Sequence, residues 1–105
     1  MNQQPVESNS GDTQGLAMQL LVRNEVNEFS TWLRYFNQDS SVANEYGITL
    51  ERLWQSADDP NVVFFLLNIE SRKRADEFMA RPESADIGEK SGVTDGEVWY
   101  LLPAM

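Results

Sequence analysis

Residues 48–70 read ITLERLWQSADDPNVVFFLLNIE, and this stretch predicts two long strands joined by a tight turn. Val62–Ile69 is almost continuously apolar, with β-branched and aromatic residues, which is typical of a strand buried on both faces. Asp58–Asn61 has the composition of a turn, because Asp and Asn bond to their own backbone and Pro presets φ. Turn chemistry therefore accounts for two adjacent carboxylates that are otherwise candidates for acid/base catalysis or metal binding.

The first strand of this hairpin, residues 48–55, does not alternate cleanly between apolar and polar side chains. Both sets of alternate residues are mixed: one holds Ile48, Leu50, Arg52 and Trp54, and the other holds Thr49, Glu51, Leu53 and Gln55. Clean alternation separates a buried face from a solvated one. We therefore expect one face of this strand to be partly wet or covered by a second subunit, and the pattern does not decide which set faces the helices.

The composition bounds the size and the chemistry of the protein. The chain has 105 residues, of which 41% are hydrophobic and 24% are charged, which is enough for one domain with a core. It contains neither cysteine nor histidine. This excludes disulfides, thiolate and Ser-His-Asp catalysis, zinc–thiolate sites and haem held by a proximal histidine. We predict no metal and no cofactor.

The formal net charge of −9 bounds the partners. Such a chain repels nucleic-acid phosphates and anionic membrane surfaces, so we expect neither nucleic acid nor membrane as a partner. The only basic cluster, Arg72-Lys73-Arg74, fits a solvated first turn of a helix. No stretch approaches the roughly 18 apolar residues of a membrane helix, and the N-terminus has no signal-peptide pattern. We predict a cytoplasmic location.

The first half of the chain predicts a tail, a strand and a helix. Residues 1–15 are rich in polar and turn-forming residues, so we predict a flexible tail before a folded domain at residues 16–105. Leu16–Arg23 alternates as a strand. An amphipathic helix at about Asn27–Gln38 follows, with Asn24 or Asn27 as its N-cap. Asp39-Ser40-Ser41 is expected to end or interrupt it. The apolar stripe of this helix is Val26, Phe29, Leu33 and Phe36.

Capping residues mark the next elements. Gly47 occupies the position where glycine commonly follows a helix. Ser71 is the expected N-cap of a second helix at about Arg72–Ala80. Pro82 is expected to open a short further helix that Gly92 closes.

With a last strand at Glu97–Leu102, the predicted order is strand, helix, strand, strand, helix, strand. This order predicts an α+β, ferredoxin-like βαββαβ fold, in which an antiparallel sheet carries its helices on one face. The second sheet face is also partly apolar, because Leu21, Phe64 and Leu66 are expected there. Since a large exposed apolar patch usually marks an interface, we predict a homodimer paired through the open sheet faces.

In this order and pattern the chain resembles the dimeric α/β-barrel superfamily, which includes the antibiotic biosynthesis monooxygenases. The resemblance covers about Ala17–Pro103 and implies a fold and a homodimer more than an activity. The residues that carry it are Met18–Arg23, Trp32-Leu33, Phe36, Tyr46-Gly47-Ile48, Leu53-Trp54, Asp58–Asn61, Val62–Glu70, Ala75–Phe78, Ser91-Gly92-Val93 and Glu97–Tyr100.

The resemblance implies several functions, since the family spans haem degradation, cofactor-free oxygenation, lactone isomerisation, decarboxylation and ligand sensing. The haem-degrading members use a histidine that this chain lacks, so that activity is not carried over. Our first expectation is a small homodimeric barrel protein that binds a small apolar or aromatic ligand. The alternative is a cofactor-free monooxygenase or isomerase acting on an aromatic or polyketide-like substrate, and a ligand-responsive regulatory domain is a third reading. A closed, tightly filled interior would favour the first expectation, whereas an open cavity of about 300 Å³ or more, lined by Trp and by Asn or Arg, would favour the enzyme.

The candidate ligand-binding residues are Arg23, Trp32, Arg52, Trp54, Phe64, Asn68 and Trp99. The tryptophans fit either an aromatic pocket or plain packing. Asn68 interrupts an apolar strand, so it either polarises a ligand carbonyl or is a satisfied hydrogen-bonding residue. Arg23 and Arg52 fit either an anionic substrate or salt bridges to nearby carboxylates. No residue is predicted to be catalytic or to bind a metal, and whether the protein is an enzyme stays open.

Overall fold

A computed structural model of the protein describes residues 18–104, and the tail predicted at residues 1–15 lies outside the described residues. The described elements are β1 Gln19–Val26, α1 Phe29–Glu45, β2 Ile48–Gln55, β3 Val62–Ile69, α2 Arg72–Met79, α3 Pro82–Lys90 and β4 Val93–Leu101. The predicted hairpin is confirmed as β2 and β3. In its turn, Oδ1 of Asp59 accepts a hydrogen bond from the backbone N–H of Asn61 at 2.9 Å.

The strands form one antiparallel sheet in the order β2-β3-β1-β4, with the helices on one face. This confirms the predicted α+β, ferredoxin-like architecture. The core lies between the sheet and the helices, because the apolar side chains of both layers meet there. Its buried side chains are Leu20, Val22, Val26, Trp32, Ile48, Val63, Phe65, Ile69 and Ala75.

A β-bulge at Glu51 explains the mixed alternation of β2. Leu50 pairs with Leu67 and Arg52 pairs with Leu66, so Glu51 has no partner of its own in β3. Since paired residues share a face, the alternation of β2 changes phase at the bulge. Ahead of the bulge even-numbered residues face the helices, and beyond it odd-numbered residues do. The helix-facing residues are Ile48, Leu50 and Leu53, and the opposite face carries Thr49, Arg52 and Trp54.

α1 is longer than its apolar stripe predicts. It runs unbroken from Phe29 to Glu45, so the expectation that residues 39–41 end or interrupt it was wrong. Asp39 is accommodated by an ion pair with Arg81, and the Ser40 hydroxyl donates a hydrogen bond to the backbone carbonyl of Asn37 at 2.8 Å. Such back-bonding lets a serine remain within a helix.

The start of α1 also differs from the prediction. Neither Asn24 nor Asn27 caps it, and Glu28 occupies the N-cap position without a side-chain hydrogen bond to the backbone. Instead, Oδ1 of Asn61 accepts a hydrogen bond from the backbone N–H of Phe29 at 3.2 Å. The turn of the hairpin therefore supplies the capping group, which local sequence does not reveal.

β1 and β4 each extend past one predicted end, while β1 begins at Gln19, after the described Met18, and β4 ends at Leu101, one residue early. β1 continues to Val26, which is buried at the end of the strand and does not belong to the stripe of α1. β4 begins at Val93, ahead of the expected Glu97. The two strands pair from Gln19 with Leu101 to the far end of β1, with a second irregularity next to Val26. This long pairing, rather than a local pattern, extends both strands.

The remaining helix ends were predicted correctly. Gly47 follows α1 with φ of +74°, in the left-handed region that favours glycine. Oγ of Ser71 accepts a hydrogen bond from the backbone N–H of Arg74 at 3.0 Å and caps α2. Pro82 opens α3, and Gly92 follows it with φ of +84°.

Candidate functional site

A cavity of about 400 Å³ lies between the helix-facing side of the sheet and the helices. Most of its lining is apolar. Strand residues Leu20, Val22, Phe65 and Leu67 form its floor, and Trp32, Phe36, Phe78 and Ile87 stand on its walls. It opens to solvent along three lining residues that are 47%, 37% and 46% exposed, namely Leu50, Met79 and Val98. Its size is within the usual range of small-molecule sites.

An aromatic cluster forms one wall of this cavity. The ring of Trp32 stacks on that of Phe36, with 4.8 Å between centroids, and lies 5.5 Å from the ring of Phe65. Phe36 and Phe65 meet edge to face at 5.0 Å. Because Trp32 is only 3% exposed, these contacts hold its ring in a fixed position. The wall therefore presents a rigid aromatic surface to the cavity.

Asn24 places a polar amide on the apolar floor. It lies on β1 with its side chain on the same face as Leu20 and Val22, and it lines the cavity. Within residues 18–104, the hydrogen bonds of the structure include none made by the Asn24 side chain. Asn24 is half-buried, and an amide with apolar neighbours normally finds a hydrogen-bond partner. Asn24 is therefore available to bond a group inside the cavity.

A second polar group closes the wall between α1 and α3. Nη2 of Arg81 lies 3.4 Å from the carboxylate of Asp39 and donates to Oγ of Ser84 at 3.1 Å. The Ser84 hydroxyl in turn donates to the backbone carbonyl of Phe78 at 2.6 Å. Asp39, Ser84 and Phe78 all line the cavity. The ion pair therefore joins the helices at the edge of the site.

The structure separates the sequence-predicted ligand-binding residues. Trp32 lines the cavity. The other six lie on the sheet face opposite the helices: Arg23, Arg52, Trp54, Phe64, Asn68 and Trp99. Leu21, Leu66 and Leu101 share that open face, where Trp54 is 42% and Trp99 is 41% exposed. Ligand binding by these six residues stays a prediction, and they form a surface separate from the cavity.

Asn68 and Arg23 are engaged with neighbours on the open face. Oδ1 of Asn68 accepts a hydrogen bond from Gln19 at 3.0 Å, and its Nδ2 donates to Glu51 at 2.8 Å. Arg23 forms salt bridges with Glu25 at 2.8 Å, with Glu97 at 3.7 Å and with Asp95 at 3.9 Å. The hydrogen bond that Arg23 donates to the Glu25 carboxylate is the main reason that the pKa of Arg23 is raised. Arg23 therefore makes salt bridges with nearby carboxylates, and its binding of a ligand stays a prediction.

Tyr100 is the tyrosine with the most altered acidity. Its side chain faces the helices, and its hydroxyl donates a hydrogen bond to Asp76 of α2. The pKa of Tyr100 is raised to about 12, mainly by burial and then by the hydrogen bond and charge of Asp76, against the opposing charge of Arg72. A phenol held so firmly in its neutral form is unsuited to proton transfer near neutral pH.

The described part of the chain has neither a cluster of metal-binding side chains nor a membrane-spanning helix. Residues 18–104 contain no group of three or more acidic side chains placed to hold a metal ion. No helix among α1, α2 and α3 has the length and apolar character needed to span a membrane.

Comparison with known proteins finds likeness in structure only, because no protein-family model and no curated protein sequence matches the chain. SnoaB, a cofactor-independent oxygenase from Streptomyces nogalater, is 12% identical with a TM-score of 0.67, covering 84% of this chain and 93% of its own. A Bordetella bronchiseptica protein assigned provisionally to the antibiotic biosynthesis monooxygenases is 10% identical with a TM-score of 0.69, covering 84% and 97%. An uncharacterized NIPSNAP domain protein from Burkholderia xenovorans is 12% identical with a TM-score of 0.61, covering 83% and 94%.

At these identities the likeness establishes the fold. The chain has the ferredoxin-like fold of the antibiotic biosynthesis monooxygenase structures, as its order of elements predicted. This likeness does not identify which residues of the chain form a functional site.

Sequence reasoning missed Asn24 as a site residue, although a signal was present. Asn24 interrupts the apolar alternation of Leu20, Val22 and Val26, so a polar residue on the buried face of β1 was readable from the pattern. The same reasoning selected Asn68, which interrupts β3 on the open face. Asp39 and Ser84 carried no such signal, because their place beside the cavity depends on tertiary contacts, such as those that Arg81 makes with both.

Proposed function

We propose that the protein binds a small apolar or aromatic ligand in the cavity between the sheet and the helices. The observation that carries this proposal is the combination of volume and lining. A space of about 400 Å³, walled by Trp32 and Phe36, offers more room than the roughly 300 Å³ at which ligand sites begin. The amide of Asn24 offers one directional contact on an otherwise apolar floor. Such a site favours a flat ligand with a single polar group.

NMR titration with 2-naphthamide, an uncharged bicyclic aromatic, tests this proposal. The chain has 3 tryptophans, so Trp54→Phe and Trp99→Phe variants identify the three indole N–H resonances. We expect the Trp32 resonance to shift on binding, while the resonances of Trp54 and Trp99, on the opposite sheet face, stay in place. If only the resonances of Trp54 and Trp99 shifted, the ligand would bind on the open face, and the proposal would be contradicted.

A cavity-filling variant sharpens the test. Gly88 lines the cavity, and a Cβ added there meets no atom within 4 Å. We expect Gly88→Leu to weaken 2-naphthamide binding at least tenfold, because the added side chain occupies part of the ligand's volume (about 1.4 kcal/mol). Ala80→Leu is the matched control, since Ala80 is exposed at the end of α2 and does not line the cavity.

We also propose that the protein is a cytoplasmic homodimer that pairs its open sheet faces. Support for the dimer comes from the exposure of Trp54, Trp99 and Leu101 on a single face, since contiguous apolar surface commonly marks an interface. Sedimentation velocity at micromolar concentration tests it. We expect the wild type to be a dimer and Trp99→Arg to be a monomer. Met79→Arg is the control and should remain a dimer, because Met79 is an exposed apolar residue on the helical side. A monomeric wild type contradicts the dimer.

A second candidate function is cofactor-free oxygenation or isomerisation of an aromatic or polyketide-like substrate. An open cavity of about 400 Å³ lined by Trp32 and Asn24 favours it. The amide N–H of Asn24 can stabilise the oxyanion that forms when a substrate loses a proton next to its carbonyl. SnoaB, which shares the fold, is described as a cofactor-independent oxygenase. In such a reaction the substrate itself supplies the electrons that reduce dioxygen.

Anthrone, an aromatic ketone with an acidic C–H, tests the enzymatic reading. One dioxygen converts it to anthraquinone and one water, so product and oxygen uptake are both measurable. We expect anthraquinone to form faster than in buffer, and Asn24→Ala to slow it by about 10²-fold. Asn37→Ala, exposed on α1, is the matched control. An Asn24→Ala variant as fast as the wild type would remove Asn24 from the mechanism.

A further inference from the structure

We propose that Asp39, by neutralising Arg81, keeps the cavity free of a charge that would bind anions, so that the cavity takes uncharged aromatic ligands in preference to anions of the same shape. This selectivity rests on the proposed ligand site, and it names the class of ligand that the site takes.

The lining of the cavity offers an anion no counter-charge. Among the described residues that line it, none is lysine or arginine, and its charged side chain is Asp39. An anion that enters loses its hydration, which is costly in apolar surroundings without a charged partner. The net charge of −9 adds to the repulsion. An uncharged aromatic ligand meets neither penalty.

Arg81 is the cation whose charge Asp39 neutralises. Its Nη2 lies 3.4 Å from each carboxylate oxygen of Asp39, and its Nε donates to the backbone carbonyl of Phe78 at 2.9 Å. The guanidinium carbon lies 4.1 Å from the centroid of the Phe78 ring. Since Asp39 and Phe78 both line the cavity, the guanidinium stands directly behind its wall.

Because the pair is mostly buried, the loss of either charge should strongly affect the electrostatics of the cavity. The side chains of Arg81 and Asp39 are only 14% and 19% exposed, so solvent ions screen them less than a surface pair. Removing one partner leaves the other as an uncompensated charge beside the cavity. Asp39→Asn should therefore create an anion site from Arg81. Arg81→Gln should create a cation site from Asp39.

Isothermal titration calorimetry at pH 7 with three probes of one shape tests the proposal. The probes are 2-naphthamide, 2-naphthoate and 2-naphthylmethylammonium, which are uncharged, anionic and cationic. In the wild type we expect 2-naphthamide to bind at least about tenfold more tightly than 2-naphthoate. In Asp39→Asn we expect the affinity for 2-naphthoate to rise about tenfold, with that for 2-naphthamide changing less than about threefold. In Arg81→Gln we expect the affinity for 2-naphthylmethylammonium to rise instead.

The double variant Asp39→Asn/Arg81→Gln keeps the shape of the pair without its charges and is the control for both. Circular dichroism checks that each variant is folded, and the two single variants give independent readings if one of them unfolds. We expect the double variant to regain the preference for 2-naphthamide. If the wild type bound 2-naphthamide and 2-naphthoate equally well, the proposed selectivity would be wrong, but the proposed ligand site would not be contradicted. Failure of every probe to bind overturns both, and an unchanged 2-naphthoate affinity in Asp39→Asn overturns the role of the pair.

Discussion

Trp32 and Phe36 stack one turn apart on α1, with 4.8 Å between their ring centroids and an angle of 24° between their planes. The i, i+4 spacing brings the two rings onto one helix face. Phe65 of β3 then contacts both, so that one cluster joins the helix to the centre of the sheet. The same cluster forms part of the core and part of the cavity wall.

Truncation of Trp32 should therefore cost stability as well as binding. We expect Trp32→Ala to lower the free energy of unfolding by about 3–5 kcal/mol, because it removes a large buried ring and leaves a void beside Phe36 and Phe65. Urea unfolding followed by circular dichroism measures the change. Leu102→Ala is the control, since Leu102 is 56% exposed, and a loss of similar size there would contradict the assignment of this core.

Two glycines should respond oppositely to alanine. Gly88 lies within α3, where a Cβ meets no atom within 4 Å, so Gly88→Ala should stabilise the protein by about 0.5–1 kcal/mol. Gly47 has φ of +74°, and a Cβ there lies 2.8 Å from Cδ of Glu70. The flexible Glu70 side chain can move, but the backbone cannot, so Gly47→Ala should destabilise by about 1–2 kcal/mol. Thermal unfolding of both variants gives the sign of each change in stability. Changes of the same sign would contradict the backbone conformation assigned to one of these glycines.

Deletion of Glu51 should be tolerated. The residues on either side already face consecutive residues of β3, so removing Glu51 leaves a regular ladder with every side chain on its present face. The loss of its hydrogen bond with Asn68 should cost no more than about 1 kcal/mol. Deletion of Thr49 is the control. It either moves Ile48 out of the core or turns Glu51 toward the helices, at a cost of about 2–5 kcal/mol. Equal losses in urea unfolding would disprove the bulge.

Tyr100 should make stability depend on alkaline pH. Its pKa is about 12 in the folded protein, above the ordinary tyrosine pKa of 10.0. The unfolded chain therefore releases this proton at lower pH, so the contribution is complete below pH 10 and is lost as the pH rises toward 12. Comparison of the wild type with Tyr100→Phe by urea unfolding should show a steeper decline in the wild type across this window. Absorbance at 295 nm should show one tyrosine ionising late, and parallel declines would rule out the effect.

Much of the fold was predictable because it is encoded locally. The apolar run of β3, the Asp-Asp-Pro-Asn turn and the capping positions of Gly47 and Ser71 each follow from neighbouring residues. The failures involve contacts between distant residues. The cap of α1 comes from Asn61 in the hairpin turn, and Asp39 remains helical because it meets Arg81. A local pattern contains neither contact.

The candidate site was less predictable than the fold. Among the seven predicted ligand-binding residues Trp32 lines the cavity, because residue type identifies an aromatic wall but does not identify the sheet face. The face of a strand residue depends on register, and the bulge at Glu51 shifts it for Arg52 and Trp54. Asn24 could have been predicted as a site residue, because it interrupts the apolar alternation on the helix-facing side of β1. Asp39 required knowledge of how two helices pack.

The bulge at Glu51 also affects how molecules of this protein meet one another at high concentration. β2 is an edge strand, and a straight edge exposes a row of unpaired N–H and C=O groups to which a strand of another molecule can add. The extra residue breaks that row and places the charges of Glu51 and Arg52 at the gap. The same insertion that disturbs the alternation of β2 thus interrupts one edge of the sheet where a strand of another molecule could add. We expect a β2 without Glu51 to keep its fold and to aggregate more readily.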